Sequence, residues 1–99
     1  MHRMRWSFGE FILDPGTRQL LRGTEPVALS PKAFQLLELL VRCGPKAVSK
    51  TDLQDGLWPG TFVVEKNLAN LVGEIRRAIG DDAARPRFIR TVGRFGYAF

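Results

Sequence analysis

Short apolar runs alternate with turn-forming residues over the first 29 positions of the chain. The runs occupy 6–8, 11–13, 19–21 and 27–29, and the turn-forming residues lie at 9–10, 14–16 and 23–24. Gly-Glu, Asp-Pro-Gly and Gly-Thr suit tight turns, because glycine accepts positive φ angles and proline fixes φ for a turn. Runs of this length between such turns are typical of strands. The pattern therefore predicts a small antiparallel β-sheet within residues 6–29.

The spacing of the apolar positions changes to that of a helix at about residue 30. Ser30-Pro31 combines an N-cap with a proline suited to the first helical position, and Gly44-Pro45 ends the pattern. The apolar residues between them form a stripe so broad that it predicts a central, buried helix over about 30–43. Cys43 follows this stripe, and we expect it to be a small core residue.

A second, shorter helix is predicted over about 49–58. Residues 49–52, Ser-Lys-Thr-Asp, have the pattern of a capping box with Asp in place of the usual Glu. Pro59-Gly60 ends this helix directly after Trp58, whose ring we expect to pack between the helix and the sheet.

Residues 65–79 carry the clearest helical pattern of the chain. Leu68, Val72, Ile75 and Ile79 are spaced as one narrow apolar face, and Gly80 lies where a C-terminal glycine cap belongs. The opposite side of this third helix is polar and basic. Residues 87–99 then form two short runs around a Gly-Arg-Phe-Gly turn, which predicts a terminal β-hairpin.

Together these elements predict an α+β fold in a single domain spanning residues 1–99. Two helices joined by a loop, the second with one apolar and one polar-basic face, form a helix-turn-helix. A hairpin directly after such a unit is a wing. The predicted fold is a winged helix-turn-helix with an N-terminal antiparallel β-sheet, three helices and a C-terminal β-hairpin wing at 87–99.

Positive charge is concentrated in the C-terminal third of the chain. The net charge is +5, and residues 64–99 carry seven basic side chains, six of them arginine, against four acidic ones. Arginine grips phosphate groups through two parallel hydrogen bonds, so this distribution favours a polyanionic partner. A basic surface that only maintains solubility fits the charge equally well.

The residue types needed for catalysis or metal binding are scarce. One cysteine, Cys43, and one histidine, His2, cannot supply a zinc site, and no glycine-rich loop precedes a helix. We therefore expect no enzymatic activity, no small-molecule substrate, no metal and no cofactor. The lone cysteine fits a cytoplasmic location, and no apolar stretch is long enough to span a bilayer.

The polar face of the third helix carries the candidate base contacts. The amide of Asn70 can bond adenine N6 and N7 together, and the carboxylate of Glu74 can accept a hydrogen bond from cytosine N4. Asn67 shares this face. Solvated surface positions are the alternative for Asn70 and Glu74, and Glu74 can instead pair with Arg77.

Seven further residues are candidate DNA contacts. Arg94, at the tip of the predicted wing, suits a narrow minor groove, and the candidates for phosphate are Lys50, Lys66, Arg76, Arg77, Arg90 and Thr91. For Arg76 and Arg77 the alternative role is compensation of the helix dipole, and for Thr91 it is ordinary strand propensity.

Several blocks of the sequence between about Phe8 and Phe99 resemble the OmpR/PhoB-type winged-helix effector domain, the transcriptional regulatory protein C-terminal domain. The blocks are Phe11-Ile-Leu-Asp-Pro15, Leu29-Ser-Pro-Lys-Ala-Phe34, Val48-Ser-Lys-Thr-Asp-Leu53, Leu57-Trp58-Pro59, Ile75-Arg-Arg-Ala-Ile-Gly-Asp-Asp82, Phe88-Ile-Arg-Thr-Val92 and Gly96-Tyr97. The resemblance implies a four-stranded N-terminal sheet, a third helix in the major groove and a wing in the neighbouring minor groove. It also implies that loop 59–64 contacts RNA polymerase in some members.

The chain departs from this family on the groove face of the third helix. Leu71, Gly73 and Glu74 lie where many members have basic or histidine side chains. Gly73 inside a helix also costs up to about 1 kcal/mol relative to alanine. These departures bear on which DNA sequence is bound rather than on whether DNA is bound.

The leading hypothesis is sequence-specific binding of double-stranded DNA by the effector domain of a bacterial-type transcription regulator. A winged-helix protein-interaction module and a non-specific nucleic-acid binder are the alternatives. The arginine-rich wing favours DNA, because a protein-docking surface there would expose a larger apolar patch. We also expect a longer regulator, with this domain at its N-terminus and a sensor downstream. Dimerisation on DNA stays open.

Overall fold

The computed structural model describes residues 5–99; His2 and the neighbouring basic Arg3 lie outside this range. The strands are β1 (Trp6–Phe8), β2 (Phe11–Asp14), β3 (Gln19–Arg22), β4 (Glu25–Val27), β5 (Val48–Ser49), β6 (Arg90–Val92) and β7 (Gly96–Ala98). The helices are α1 (Pro31–Cys43), α2 (Lys50–Leu57) and α3 (Glu65–Ile79). The predicted α+β winged helix-turn-helix is confirmed, and β5 is an element that the sequence pattern did not indicate.

The N-terminal sheet is an antiparallel meander in the order β1-β2-β3-β4. Its turns are short because Phe8 pairs with Phe11 and Arg22 pairs with Glu25. Because only two residues separate Arg22 from Glu25, β4 begins at Glu25, two residues before the run expected at 27–29. Buried side chains from β1, β2 and β3 form one face of the hydrophobic core.

The three helices complete this core. The Ser30 hydroxyl accepts a hydrogen bond from the Ala33 N–H at 3.3 Å and caps α1, whose broad apolar stripe is buried as predicted. The Ser49 hydroxyl caps α2 in the same way by accepting from the Asp52 N–H at 3.0 Å. The Asp52 side chain is exposed, so only the serine half of the expected capping box is formed.

One expectation about an individual side chain is wrong, and a second is met in part. Cys43 is exposed rather than part of the core, because it is the last residue of α1 and lies about a third of a turn from the centre of the apolar stripe. Trp58 is half-buried against the core, and its ring is covered by the Lys32 ammonium, 5.9 Å from the ring centroid.

The wing belongs to a three-stranded sheet in the order β5-β7-β6. Val48 pairs with Tyr97, and Ser49 pairs with Gly96. The two backbones are so close that a Cβ placed on Gly96 would lie 1.8 Å from the Val48 carbonyl oxygen. A residue without a side chain is therefore required at 96, and the wing is attached to the start of α2.

A cluster of four phenylalanines joins this wing to the N-terminal sheet. The Phe8 ring lies 5.2 Å from Phe88 and 5.0 Å from Phe99 between centroids, both edge to face, and 5.7 Å from Phe11. Such aromatic pairs contribute about 0.5–1.5 kcal/mol each beyond their buried area. Since Phe88 precedes β6 and Phe99 follows β7, both ends of the hairpin are fixed at its base.

Candidate nucleic-acid interface

The outward face of α3 carries polar and basic side chains that are exposed. Leu68, Val72, Ile75 and Ile79 are buried and fix the rotation of the helix about its axis. The exposed side chains on the other side include Lys66, Asn67, Asn70 and Arg77. Because the apolar stripe cannot leave the core without a large loss of stability, these four residues are held in an outward orientation.

Glu74 does not share this orientation, and the structure contradicts its expected outward-pointing role. One carboxylate oxygen accepts a hydrogen bond from the Ser30 N–H at 2.7 Å, and the other accepts from the Ser30 hydroxyl at 2.9 Å. Position 74 lies at the edge of the polar face that is turned towards the N-terminus of α1. The carboxylate therefore stabilises the start of α1 and has no free oxygen aimed at a base.

Arg76 also points into the protein. Its Nη2 donates hydrogen bonds to the Ile89 carbonyl oxygen at 2.9 Å and to the Thr91 hydroxyl oxygen at 3.2 Å. Its Nε is buried and has no hydrogen-bond partner among the described residues. The structure thus brings two predicted phosphate contacts into contact with one another, with Thr91 exposed and Arg76 half-buried.

Asp81 is a site residue that sequence reasoning missed. Its carboxylate accepts hydrogen bonds from the N–H groups of Arg87, Phe88 and Ile89 at 2.7, 3.2 and 2.8 Å. Partial burial by itself raises the pKa of this carboxyl, but the backbone hydrogen bonds outweigh that effect and lower the pKa below its ordinary value of 3.8. The sequence shows Asp81 only as the residue that follows the C-cap of α3. Its hydrogen bonds could not be predicted from a local pattern, because the partners lie six to eight residues further along the chain.

The remaining candidates lie around the wing turn. Arg94 is exposed at the tip, where Gly93 has a φ of 51° and Phe95 donates to the Val92 carbonyl at 2.9 Å. Arg90 is exposed on β6, and its Nη2 lies 3.4 Å from the Pro45 carbonyl oxygen.

Lys50 joins three elements at this end of the molecule. Its N–H donates to the Phe95 carbonyl oxygen at 2.9 Å, and its ammonium forms an ion pair with the Glu65 carboxylate. Lys50 thereby holds the wing turn beside the first turn of α3. The ion pair also compensates the charge of Lys50, whereas Lys66 is exposed.

The loop between α2 and α3 exposes apolar side chains. Phe62 is 91% exposed and Val64 is 57% exposed, while Phe95 at the wing tip is 54% exposed. Phe62 and Phe95 line a shared groove with Lys50 and Arg94. These side chains have no internal packing role that explains their hydrophobic character.

Within residues 5–99, none of the helices combines the length and the apolar character that crossing a bilayer requires. Nor does the described part of the chain bring together three or more His, Cys, Asp or Glu side chains able to hold a metal ion.

Comparison with known proteins agrees with this architecture. The family model described as transcriptional regulatory protein, C terminal, matches residues 23–99. The chain is 37% identical over 90 residues to the transcriptional regulatory protein QseB of Escherichia coli O157:H7, which covers 90% of this chain and 39% of QseB. Response regulator MprA of Mycolicibacterium vanbaalenii is 32% identical over 92 residues, with coverage of 92% and 39%. The chain thus spans about two fifths of the length of these relatives.

Solved structures show the same fold. The DNA-binding domain of RstA from Klebsiella pneumoniae, crystallised in complex with the RstA box, superposes with a TM-score of 0.85 at 30% identity and covers 96% of this chain and 95% of its own. The response regulator DrrB of Thermotoga maritima, described as an OmpR/PhoB homologue, gives a TM-score of 0.87 at 28% identity over 96% of this chain and 43% of DrrB. The family model spans most of the sequence, and the three helices, two sheets and wing agree with it, so the chain belongs to the transcriptional regulatory protein C-terminal family, the OmpR/PhoB-type winged-helix domains.

Proposed function

We propose that this domain binds double-stranded DNA sequence-specifically, with α3 in the major groove and the wing turn in the adjacent minor groove. The observation that carries the proposal is the outward face of α3, where Lys66, Asn67, Asn70 and Arg77 are exposed opposite a fully buried apolar stripe. The contacts of Lys50 with both Phe95 and Glu65 support it, because they place the basic wing turn next to the start of the same helix. The RstA domain, similar in fold and sequence, was crystallised with its own DNA box.

The exposed side chains divide into two chemical roles. Asn67 and Asn70 carry amides that can bond base edges, whereas Lys66 and Arg77 carry charges that suit phosphates. Arg94 at the wing tip favours a narrow, A·T-rich minor groove. Thr91 and Arg90 on β6 remain proposed phosphate contacts, since both residues are exposed.

A salt titration of DNA binding tests this function. If about four to six phosphates are neutralised, the logarithm of the binding constant falls against the logarithm of salt concentration with a slope of about −4 to −5. Fluorescence anisotropy with a labelled duplex from a binding-site selection gives the slope, and competition by unrelated DNA separates specific from non-specific binding. The absence of binding to any duplex at low salt would refute binding to DNA, and an affinity that does not change with salt would refute the phosphate contacts.

Two variants separate base contacts from phosphate contacts. Asn70→Ala is expected to cost about 1–3 kcal/mol on the selected site and to relax the preference at one base pair, whereas Arg77→Ala weakens all sequences alike and reduces the salt slope by about one unit. Arg22→Ala, which removes an exposed arginine from the N-terminal sheet, is the control. A selected sequence that changes with Arg77→Ala and not with Asn70→Ala would reverse the two assignments.

A second proposed contact is with RNA polymerase through loop 59–64. The 91% exposure of Phe62 favours it, because an aromatic side chain without internal contacts suits a protein interface. Phe62→Ser is expected to leave DNA affinity unchanged and to abolish the regulator's effect, positive or negative, on transcription from a template that carries the selected site. Equal transcription with the Phe62→Ser variant and with the unmodified protein would contradict a contact between this loop and RNA polymerase.

The chain spans 39% of QseB, which supports the further proposal that a signal-sensing part belongs to the same regulator.

A further inference from the structure

Arg76 joins α3, the helix that carries the proposed base contacts, to the start of the wing around β6. It occupies the last turn of α3, and its Nη2 bridges the Ile89 carbonyl oxygen and the Thr91 hydroxyl oxygen. Its Nε is buried, so this part of the guanidinium cannot meet a phosphate oxygen. The side chain therefore contacts the wing through Nη2 in the free protein.

The Thr91 hydroxyl gains a defined orientation from this contact. A threonine hydroxyl carries one hydrogen to donate and two lone pairs to accept. Because Arg76 donates to the oxygen, one lone pair is occupied and the hydroxyl hydrogen remains available on a residue that is exposed. A hydroxyl that accepts from a cation is also polarised into a stronger donor. Thr91 thus presents a hydrogen to an acceptor outside the protein.

Ile89 fixes the same strand from both of its backbone groups. Its carbonyl accepts from Arg76, and its N–H donates to the Asp81 carboxylate at 2.8 Å. Its side chain is completely buried. The strand cannot slide along α3 without breaking both hydrogen bonds, so the spacing between the outward face of α3 and the wing is set in the free protein. Such preorganisation lowers the cost of ordering the site on binding.

We infer that Arg76 is a positioning residue that orients the Thr91 hydroxyl towards a DNA phosphate and holds the wing against α3, and that it is not itself a phosphate ligand. This inference rests on the proposed function. It assigns opposite roles to the neighbouring arginines: Arg77 is exposed and free for phosphate, whereas Arg76 acts through Thr91.

Salt dependence distinguishes the two roles. We expect Arg76→Gln to weaken binding to every duplex about tenfold while leaving the salt slope within about half a unit of the unmodified domain, because no phosphate-bound counterion is exchanged. Arg77→Ala is expected to lower the slope by about one unit. A slope that Arg76→Gln lowers as much as Arg77→Ala would make Arg76 a direct phosphate ligand and overturn the inference.

Neutral methylphosphonates, placed singly along the duplex, locate the phosphate that Thr91 contacts. We expect one position to weaken the unmodified domain and to have no further effect on Thr91→Val or Arg76→Gln. Thr91→Ser keeps the hydroxyl and should retain the sensitivity. The Arg76→Gln/Thr91→Val double variant should bind no more weakly than the weaker single variant, since both remove the same contact. Full additivity in this cycle would refute coupling between the two side chains.

Folding is checked by urea unfolding of each variant before binding is measured. If Arg76→Gln is not folded, Arg76→Met replaces it; Met keeps the apolar stem but removes the charge and the donors, and its expected result is the same loss of affinity at an unchanged slope. Failure of the unmodified domain to bind any duplex would reject the proposed function itself. Binding by the unmodified domain with a methylphosphonate pattern that Thr91→Val leaves intact would reject only the role of Arg76 and Thr91.

Discussion

Replacing Glu74 with alanine distinguishes a carboxylate that stabilises the fold from one that contacts DNA bases. Both carboxylate oxygens accept hydrogen bonds from Ser30, the N-cap of α1. In a capping box this role falls to a Glu three residues after the cap, but that position is Ala33. A residue from α3, 44 positions away, supplies the missing acceptor.

The expected loss of stability follows from these two bonds. A hydrogen bond to a charged group contributes about 1.5–3 kcal/mol, and a partly buried donor left without a partner costs about 1–3 kcal/mol. Both bonds are partly buried, so water replaces some of what is lost. We therefore expect Glu74→Ala to lower the free energy of unfolding by about 2 kcal/mol, which in a domain of this size lowers the Tm by about 8–16 °C. Glu74→Gln keeps an acceptor and should lose about half as much.

Urea unfolding followed by far-UV circular dichroism measures this effect. Glu65→Ala is the matched control, because it removes an exposed carboxylate from the first turn of the same helix, where the carboxylate pairs with Lys50 and faces the helix dipole but bonds no part of α1. Exposed ion pairs contribute about 0–1 kcal/mol, so the control should unfold close to the unmodified domain. Binding-site selection on the folded Glu74→Ala protein should return the unmodified sequence preference. Unaltered stability together with a changed preference at a single base pair would refute the capping role and restore Glu74 as a base contact.

Three further substitutions test other parts of the structure. Gly96→Ala should prevent stable folding, because its Cβ would meet the Val48 carbonyl at 1.8 Å; a cooperative thermal transition near that of the unmodified domain would contradict the pairing of β5 with β7. Asp81→Asn should be destabilising at neutral pH. The pKa of Asp81 is lowered on folding, so the stabilisation by its carboxylate is complete above pH 3.8 and disappears as the pH falls through the folded pKa. The free energies of unfolding of the variant and the unmodified domain should therefore converge in acid. A constant difference between them down to pH 2 would argue against this role of Asp81. Gly73→Ala should raise the free energy of unfolding by up to about 1 kcal/mol, since the added Cβ meets only the flexible end of Arg77 at 3.4 Å. Weaker DNA binding by this stabilised variant would show that DNA approaches the helix closely at Gly73. Unchanged DNA binding would exclude such an approach.

Local chemistry accounts for what the sequence alone determined. Ser30-Pro31 and Gly44 delimit α1, and Gly80 ends α3 in a left-handed conformation, as their positions predicted. The narrow apolar stripe of α3 also determined which side of that helix is buried. Caps, turns and periodicity depend on residues within about one helical turn of each other, so they are recorded directly in the order of the residues.

Tertiary structure decided where the polar residues at the edges of these elements point. Glu74 and Asn70 share one face of α3 by spacing, yet Glu74 bonds Ser30 while Asn70 remains exposed. Arg76 and Arg77 are adjacent in the chain, but one is committed to β6 and the other faces outward. Helical spacing gives the direction of a side chain about its own axis and contains no information on which neighbouring element lies in that direction. That neighbour is set by how the buried faces of α1, α3 and the wing pack together, and it separates the polar residues that build this domain from those that remain exposed.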